Sequence, residues 1–232
     1  MIDTDKTEMK IIARIHNGFT EKFGIPRQSG LLEDAESIIV FEKEYRDDNA
    51  IRGIEDYSHL WLIWHFSENK KETWSATVRP PRLGGNKRMG VFATRSPVRP
   101  NPIGLSSVKL LSVRKTQEYG TVLVVSGADL MDSTPIFDIK PYLAFTDSHP
   151  DAIGGFADKV KDYSLQVKIP ENIQSLFSAK ELETVKSILS GDPRPQYQKD
   201  AMRVYGMRYS DFELKFKVSE NILEVISADK II

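Results

Sequence analysis

The stretch GVFATRSPVRPNPIGLSSVKL at 90–110 holds the residue types best suited to chemistry in this chain. An apolar segment leads into Arg95, which is followed by Pro97, Pro100 and Pro102 and then by a second apolar segment. Proline fixes φ and removes a backbone donor, so these prolines predict an extended loop with side chains held in set directions. A rigid arginine is suited to bind a carboxylate or a phosphate through its planar fork of donors. A stiff, solvated connection is the alternative that the residues alone leave open.

The segment DIKPY at 138–142 places an acid, a base and a phenol at alternate positions. In an extended strand Asp138, Lys140 and Tyr142 share one face. Such a face is commonly just solvated, but beside a bound cofactor it can deprotonate or polarise a nucleophile. These three residues are therefore the candidate catalytic residues.

Charge is unevenly distributed, although the formal net charge is only -1. No acidic residue occurs at 79–109. The basic residues there are Arg79, Arg82, Lys87, Arg88, Arg95, Arg99 and Lys109. Because phosphate contacts dominate affinity for nucleic acids, this stretch favours an RNA partner.

Several classes of protein are disfavoured by what the sequence lacks. No Gly-rich dinucleotide fingerprint follows a predicted strand, and there is no P-loop. The four histidines show no metal-binding spacing, and the absence of cysteine excludes thiolate chemistry and disulfides. The first ten residues lack the apolar core of a signal peptide, and no apolar run approaches the ~18 residues of a membrane span. We therefore expect a cytoplasmic protein without metal or membrane partners.

The elements that must position these residues are mostly strands. Short β-rich segments separated by turn residues are predicted at 9–16, 37–41, 60–66, 91–94, 103–113, 121–126 and 136–143, with a short helix at 48–57. The run LWLIWHF at 60–66 is apolar on both faces, which predicts a central strand with Trp61, Leu62, Ile63 and Trp64 in the core. The predicted fold is mainly β, with a closed or sandwiched sheet.

A second unit is expected after Gly154 and Gly155, which gives domains at 1–155 and 156–232. Ser178 and Glu181 form a capping box that predicts a helix at 179–190, and a β-hairpin is predicted around 212–227. The tail is therefore predicted to be a small α+β domain. Its loop mixes cations and aromatics at Arg194, Tyr197, Lys199, Arg203, Tyr205, Arg208 and Tyr209. Such a mixture is typical of RNA contact, and the alternative is that the tail braces the rest of the fold.

The motif at 90–110 resembles the signature of the TrmO-like family, also called the TsaA-like domain. Further matches follow the family's order: PRQSG at 26–30, HF at 65–66, MDSTP at 131–135 and DIKPY at 138–142. Together they span roughly residues 10–145. The tail is similar to the C-terminal extension of bacterial members.

The resemblance implies a β-barrel methyltransferase, unlike the Rossmann type, that binds S-adenosyl-L-methionine near the interface of a homodimer. It implies N6-methylation of threonylcarbamoyladenosine beside the anticodon of tRNA. The cofactor-binding residues carried over by motif are Pro26, Arg27, Gln28, His65, Phe66, Arg95, Leu105, Asp132, Ser133, Thr134 and Pro135. Ser133 stands where many relatives have glycine, which bears on the turn geometry there. From the residues alone, 132–135 also fits an ordinary loop turn.

Two other functions are compatible with the same residues. One is a methyltransferase that uses the same cofactor site on a protein or a small molecule. The other is a non-catalytic module that binds S-adenosyl-L-methionine or RNA. The acid-free basic stretch favours the tRNA enzyme over both.

Overall fold

The computed structural model describes residues 7–32, 35–69, 73–80, 83, 87–160, 163–194 and 200–231. Its strands are β1 (Ala13–His16), β2 (Glu36–Phe41), β3 (His59–His65), β4 (Thr77–Val78), β5 (Met89–Gly90), β6 (Ile103–Thr116), β7 (Gly120–Ser126), β8 (Pro135–Pro141), β9 (Gln166–Lys168), β10 (Tyr205–Tyr209), β11 (Phe212–Ser219) and β12 (Ile222–Lys230). Its α-helices are α1 (Ala144–Asp147), α2 (Glu171–Gln174) and α3 (Ala179–Ser190). The prediction of a mainly β chain is confirmed.

The main sheet has six antiparallel strands in the order β1-β2-β7-β6-β3-β8. Strand β1 pairs with β2 on one side and with β8 on the other, so the sheet curls until its two ends meet. The curled sheet encloses an apolar core whose largest fully buried side chains include Ile15, Ile39, Leu60, Leu62 and Leu123.

Strand β3 is central, as predicted, because it is hydrogen-bonded to β6 and to β8. The prediction that its apolar residues all lie in the core is wrong for two of them. Leu60, Leu62 and Trp64 are buried, whereas Trp61 and Ile63 are only half-buried on the opposite face. The strand alternates between faces, so one row of apolar side chains must point away from the core.

The face of β3, β6 and β8 that points away from the core is called the outer face here. On it, Leu105 and Asp138 flank Ile63, and in the next row Ser107 and Lys140 flank Trp61. A third row follows, in which Lys109 pairs with His59. Tyr142, just past β8, donates its backbone N–H to the carbonyl of His59 at 3.0 Å and extends that row. The outer face therefore collects residues from three separate sequence motifs.

A second core lies between α3 and a four-stranded sheet of order β10-β11-β12-β9. Helix α3 begins at the predicted capping box, in which the Ser178 hydroxyl accepts from the backbone of Glu181 and the Glu181 carboxylate accepts from the backbone of Ser178. The predicted hairpin is β11 and β12. Phe19 and Leu32, from the connection between β1 and β2, also pack into this core. The N-terminal part of the chain therefore supplies side chains to both cores.

Two local predictions are wrong. The segment predicted as a strand at 91–94 is a 3-10 turn, Val91–Ala93, followed by Thr94, whose hydroxyl donates to the Val91 carbonyl at 2.9 Å. The helix predicted at 48–57 is two 3-10 turns, Asp48–Ile51 and Ile54–Asp56. They are separated by Gly53, whose φ of 83° lies outside the helical region and interrupts the helix.

No α-helix in the described part of the chain is long and apolar enough to span a bilayer. Within the same residues, no three His, Asp or Glu side chains are grouped as a metal site would require.

Candidate active site

The PRQSG loop and the proline-rich loop meet through a side-chain contact. The guanidinium of Arg95 donates to the Oε1 atom of Gln28, and the Gln28 amide donates to the Arg27 carbonyl at 2.5 Å. Arg95 is exposed, whereas Pro26 and Gln28 are partly buried. Two motifs that are far apart in the sequence therefore form one surface, and it presents an arginine to solvent.

Arg27 has a different environment from Gln28. Its guanidinium donates to the backbone carbonyl of Asp192 at 2.6 Å and to that of Arg194 at 3.4 Å. The side chain thus connects the PRQSG loop to the C-terminal core. A ligand at this loop would meet the backbone beside Arg27 rather than the ends of its guanidinium.

His65 and Phe66 lie at the end of β3. The ring of Phe66 packs on Trp64 with centroids 4.2 Å apart, and its backbone N–H donates to the Pro102 carbonyl at 2.9 Å. The ring of His65 is 5.7 Å from that of Phe137, at the start of β8. On the outer face nearby, Leu105 is 59% exposed. The end of β3 therefore offers aromatic rings and an uncovered apolar side chain.

The MDSTP segment forms a tight turn that leads into β8. Asp132 accepts from the backbone N–H of Asn17 at 3.0 Å and lies 3.3 Å from Nδ1 of His16. Ser133 has φ of 63°, the left-handed region that glycine adopts without strain. Thr134 and Pro135 are buried, whereas Asp132 is partly exposed and Ser133 is exposed.

The three candidate catalytic residues of the DIKPY segment lie in two separate places on the outer face. The Lys140 ammonium lies 2.9 Å from Oδ2 of Asp138, so these two form an ion pair. Tyr142 instead packs on Trp61, with ring centroids 5.4 Å apart, and on His59 at 6.1 Å. Tyr142 lies four positions after Asp138, which corresponds to roughly 13 Å of extended chain, so one small group cannot touch all three.

Asp129 is a residue that the sequence does not distinguish from other loop aspartates. It accepts a hydrogen bond from the Ser106 hydroxyl at 2.5 Å, and that hydroxyl in turn accepts from Nε1 of Trp64 at 2.9 Å. Burial raises the pKa of Asp129 above its ordinary value, and the hydrogen bond from Ser106 and the charge of Arg95 only partly oppose this. Only folding creates this environment, since no spacing of residues marks it.

Asp129→Asn should remove a pH dependence of stability. Because the folded-state pKa is raised, the folded protein keeps a proton that the unfolded chain releases between about pH 3.9 and the folded value. The free energy of unfolding contributed by Asp129 therefore falls as pH rises through this interval. Urea unfolding across pH 3.5–7 should show that the fall is smaller in Asp129→Asn than in the exposed control Asp151→Asn. Equal slopes in both variants would assign the pH dependence to other groups.

Comparison with known proteins identifies the family. Residues 14–148 match the tRNA-methyltransferase O N-terminal domain, and residues 162–231 match the TrmO C-terminal domain. The chain belongs to the TrmO family.

The relatives of this chain align over about three quarters of its length or more. The tRNA (adenine(37)-N6)-methyltransferase of Escherichia coli (strain K12) is 37% identical over 226 residues, which cover 94% of this chain and 96% of the relative. The enzyme of the same name from Eikenella corrodens is 45% identical over 176 residues, which cover 74% of this chain and 98% of the relative. A crystal structure of TrmO from Pseudomonas aeruginosa superposes with a TM-score of 0.73 at 30% identity, covering 97% of this chain and 99% of that one.

The C-terminal loop of this TrmO chain differs from the pattern expected for RNA contact. Arg194 forms an ion pair with the buried Asp192, at 2.8 Å, instead of facing solvent. Tyr205 is only 5% exposed and belongs to the second core, so its ring cannot stack on a base. Arg203 remains exposed beside Tyr205, at 5.4 Å from its ring. Tyr197 and Lys199 lie outside the described residues.

Proposed function

We propose that this chain transfers a methyl group from S-adenosyl-L-methionine to N6 of adenosine 37 in tRNA, where the adenosine already carries a threonylcarbamoyl group. Relatives named as tRNA (adenine(37)-N6)-methyltransferases support the reaction, and S-adenosylmethionine occurs in the names of two further relatives. The six-stranded sheet with paired ends supports a barrel methyltransferase rather than a Rossmann one. Such an enzyme acts in the cytoplasm, where tRNA is found.

The residues present fit S-adenosyl-L-methionine in their chemistry. The cofactor has an amino-acid carboxylate, ribose hydroxyls and an adenine ring. Arg95 is an exposed guanidinium for the carboxylate, and Asp132 is an acceptor for hydroxyls. The half-buried ring of Phe66 and the uncovered Leu105 suit an apolar or aromatic moiety. When bound, the cofactor supplies an electrophilic methyl group.

One observation carries the assignment at the level of residues: Asp138 occupies the same cross-strand row as Leu105, with Ile63 between them. The candidate acid and a candidate cofactor contact therefore share one surface. The ion pair with Lys140 holds the Asp138 carboxylate in place. In our proposal Asp138 takes the N6 proton, because a ureido nitrogen is a weak nucleophile until it loses that proton. Alignment of the nitrogen with the methyl group supplies much of the remaining rate enhancement.

Incubation with labelled cofactor and two tRNA substrates tests the reaction. The purified protein should methylate tRNA that carries threonylcarbamoyladenosine and leave the unmodified transcript unlabelled, since a site that hydrogen-bonds a polar group rejects substrates lacking it. Mass spectrometry of the nucleosides should place the methyl group on the modified adenosine. Cofactor binding without turnover would support a binding module, and labelling of protein or small molecules alone would support a different methyltransferase.

Arg95→Lys should lower kcat/KM about 10- to 150-fold, because a point-like ammonium cannot reproduce a forked guanidinium contact worth about 1.5–3 kcal/mol. Arg114→Lys, on an exposed part of β6, is the matched control and should retain full activity. The measurement is steady-state methylation of modified tRNA, together with the melting temperature of each variant. Unchanged kcat/KM in Arg95→Lys would remove Arg95 from the site.

We also propose the homodimer and the division into domains 1–155 and 156–232. Phe145 and Ile153 are 88% and 91% exposed, and two such apolar side chains support contact with a second copy. Sedimentation of the purified chain would give the dimer mass if this is so. The two apolar cores support the division into domains, and Phe19 and Leu32 extend from the first domain into the core of the second.

A further inference from the structure

An open cavity of about 670 Å³ lies on the outer face, and Ser29 and Gly30 of the PRQSG loop form part of its lining. Its lining includes Trp61, Ser107, His59, Lys109 and Tyr142, which form two adjacent cross-strand rows. This volume is within the range of small-molecule sites, and the lining combines rings, hydroxyls and a cation. The cavity is therefore suited to a flat aromatic group that carries polar substituents.

The aromatic wall of the cavity is held in place before any ligand binds. Nε1 of Trp61 donates to Oδ2 of Asp147 at 2.8 Å, and the backbone N–H of Leu143 donates to the same oxygen at 2.9 Å. The Leu143 and Trp61 hydrogen bonds lower the pKa of Asp147, so this carboxylate stays ionised near neutral pH. The ring of Tyr142 packs on Trp61 at an interplanar angle of 49°. A half-buried indole fixed in this way is a preorganised surface on which a base can stack.

The cation of the cavity is Lys109, which is exposed at the far end of the same rows. In the described part of the chain no carboxylate lies within ion-pair distance of its ammonium. The other charged group in the lining, Asp147, already accepts from two donors. An anionic group entering the cavity would therefore meet a positive charge that has no competing internal partner.

The cavity adjoins the candidate catalytic pair. Ser107 is two residues from Leu105 on one face of β6, which places the two about 7 Å apart along the strand. Lys140, the partner of Asp138, lies in the same row as Ser107 and Trp61. A ligand stacked on Trp61 would thus lie one row from the acid and from the candidate cofactor contact.

We propose that this cavity binds the modified nucleoside: the purine stacks on Trp61, and Lys109 pairs with the carboxylate of the threonyl group. The inference rests on the proposed function and names the part of the site that selects the modified base. A backbone phosphate would also pair with Lys109, so the test must separate the two kinds of anion.

The test compares two synthetic anticodon stem-loops. One carries N6-threonylcarbamoyladenosine with its free carboxylate, and the other carries the methyl ester, which has the same shape without the charge. Dissociation constants are measured on the intact chain without cofactor, and KM is measured with saturating cofactor. For the wild type, the acid should bind about tenfold more tightly than the ester, as one charge-assisted contact predicts. Lys109→Met should raise the dissociation constant of the acid stem-loop about tenfold and leave that of the ester stem-loop unchanged.

Lys115→Met is the matched control, because Lys115 lies on the same strand but pairs with Asp48 outside the cavity. This substitution should leave the dissociation constants of both stem-loops unchanged. Equal weakening of acid and ester by Lys109→Met would show a phosphate contact and overturn the proposal, as would no effect on either. If the wild type binds S-adenosyl-L-methionine but methylates neither stem-loop, the proposed function itself fails, and this inference fails with it.

Discussion

Arg194→Met should destabilise the protein by about 3–5 kcal/mol, because it leaves the buried carboxylate of Asp192 without its cation. The Asp192 side chain is 2% exposed, and it accepts from Nε and Nη2 of Arg194 at 2.8 and 3.0 Å. The hydroxyl of Tyr163 donates to the same carboxylate at 2.9 Å. Burial acts to raise the pKa of Asp192, but the hydrogen bonds from Arg194 and Tyr163 outweigh it and hold the pKa below its usual value. The ionised form of Asp192 is therefore stabilised in the folded protein by Arg194 and Tyr163.

The measurement is urea unfolding of Arg194→Met beside Arg203→Met. Both arginines lie over the ring of Tyr205, but Arg203 is exposed, and its loss should cost no more than about 0.5 kcal/mol. Because the Asp192 pKa is depressed in the folded state, the stabilisation is present above the ordinary aspartate pKa and is lost as pH falls through the folded value. The difference between wild type and Arg194→Met should accordingly shrink in acid.

A double-mutant cycle isolates the pair. Asn tolerates the left-handed conformation that Asp192 adopts, with φ of 53°, so Asp192→Asn removes the charge with little backbone strain. Arg194→Met should cost much less in that background than alone. If Arg194→Met instead melts like the wild type and loses affinity for tRNA, the loop contacts RNA, and the bracing interpretation is wrong.

Gly104→Ala should destabilise the protein by about 3 kcal/mol, at the upper end of the cost of overpacking. A Cβ atom at this position would overlap the indole of Trp64, which is 6% exposed and cannot move aside freely. Displacement of the ring would also break the hydrogen bond from its Nε1 to Ser106. The substitution should therefore disturb the packing of the core and the hydrogen bonds around Asp129 together.

Gly206→Ala is the control for Gly104→Ala, because Gly206 is also a strand glycine but a Cβ there meets only ordinary contacts, at 3.7 Å. It should be neutral or slightly stabilising, since alanine loses less conformational entropy on folding. Urea midpoints of both variants, with tryptophan fluorescence as the signal, give the comparison. A loss in Gly104→Ala no greater than in Gly206→Ala would mean that the ring of Trp64 relaxes without cost.

Local sequence patterns predicted the elements whose cause is itself local. The capping box at Ser178 and Glu181 defines the start of α3, and the alternation after Phe212 defines β11. The predictions were wrong where a local sequence pattern is compatible with more than one structure. Val91–Ala93 has strand-forming residues but closes into a 3-10 turn, and residues 60–64 of β3 are apolar on both faces although only one face is buried.

The candidate site shows the same division. Motif order alone indicated Gln28, Arg95 and Leu105, and the structure adds that Gln28 and Arg95 touch. It also separates Tyr142 from the Asp138–Lys140 pair and turns the Arg27 side chain towards the C-terminal core. These relations depend on register and on loop packing between distant segments, and no spacing along the chain contains that information.

By itself the sequence determined that the chain is mainly β, that it resembles the TrmO family, and which motifs contain its candidate residues. Residue types, turn signals and alternation are properties of short segments, so they can be read without the fold. Only the tertiary structure decided that Asp192 is buried and Asp129 partly buried, while Trp61 and Lys109 line an open cavity. The physical reason is that burial, pKa and cross-strand neighbours arise from contacts between residues far apart in the chain, which form when the sheet curls and the second core assembles against it.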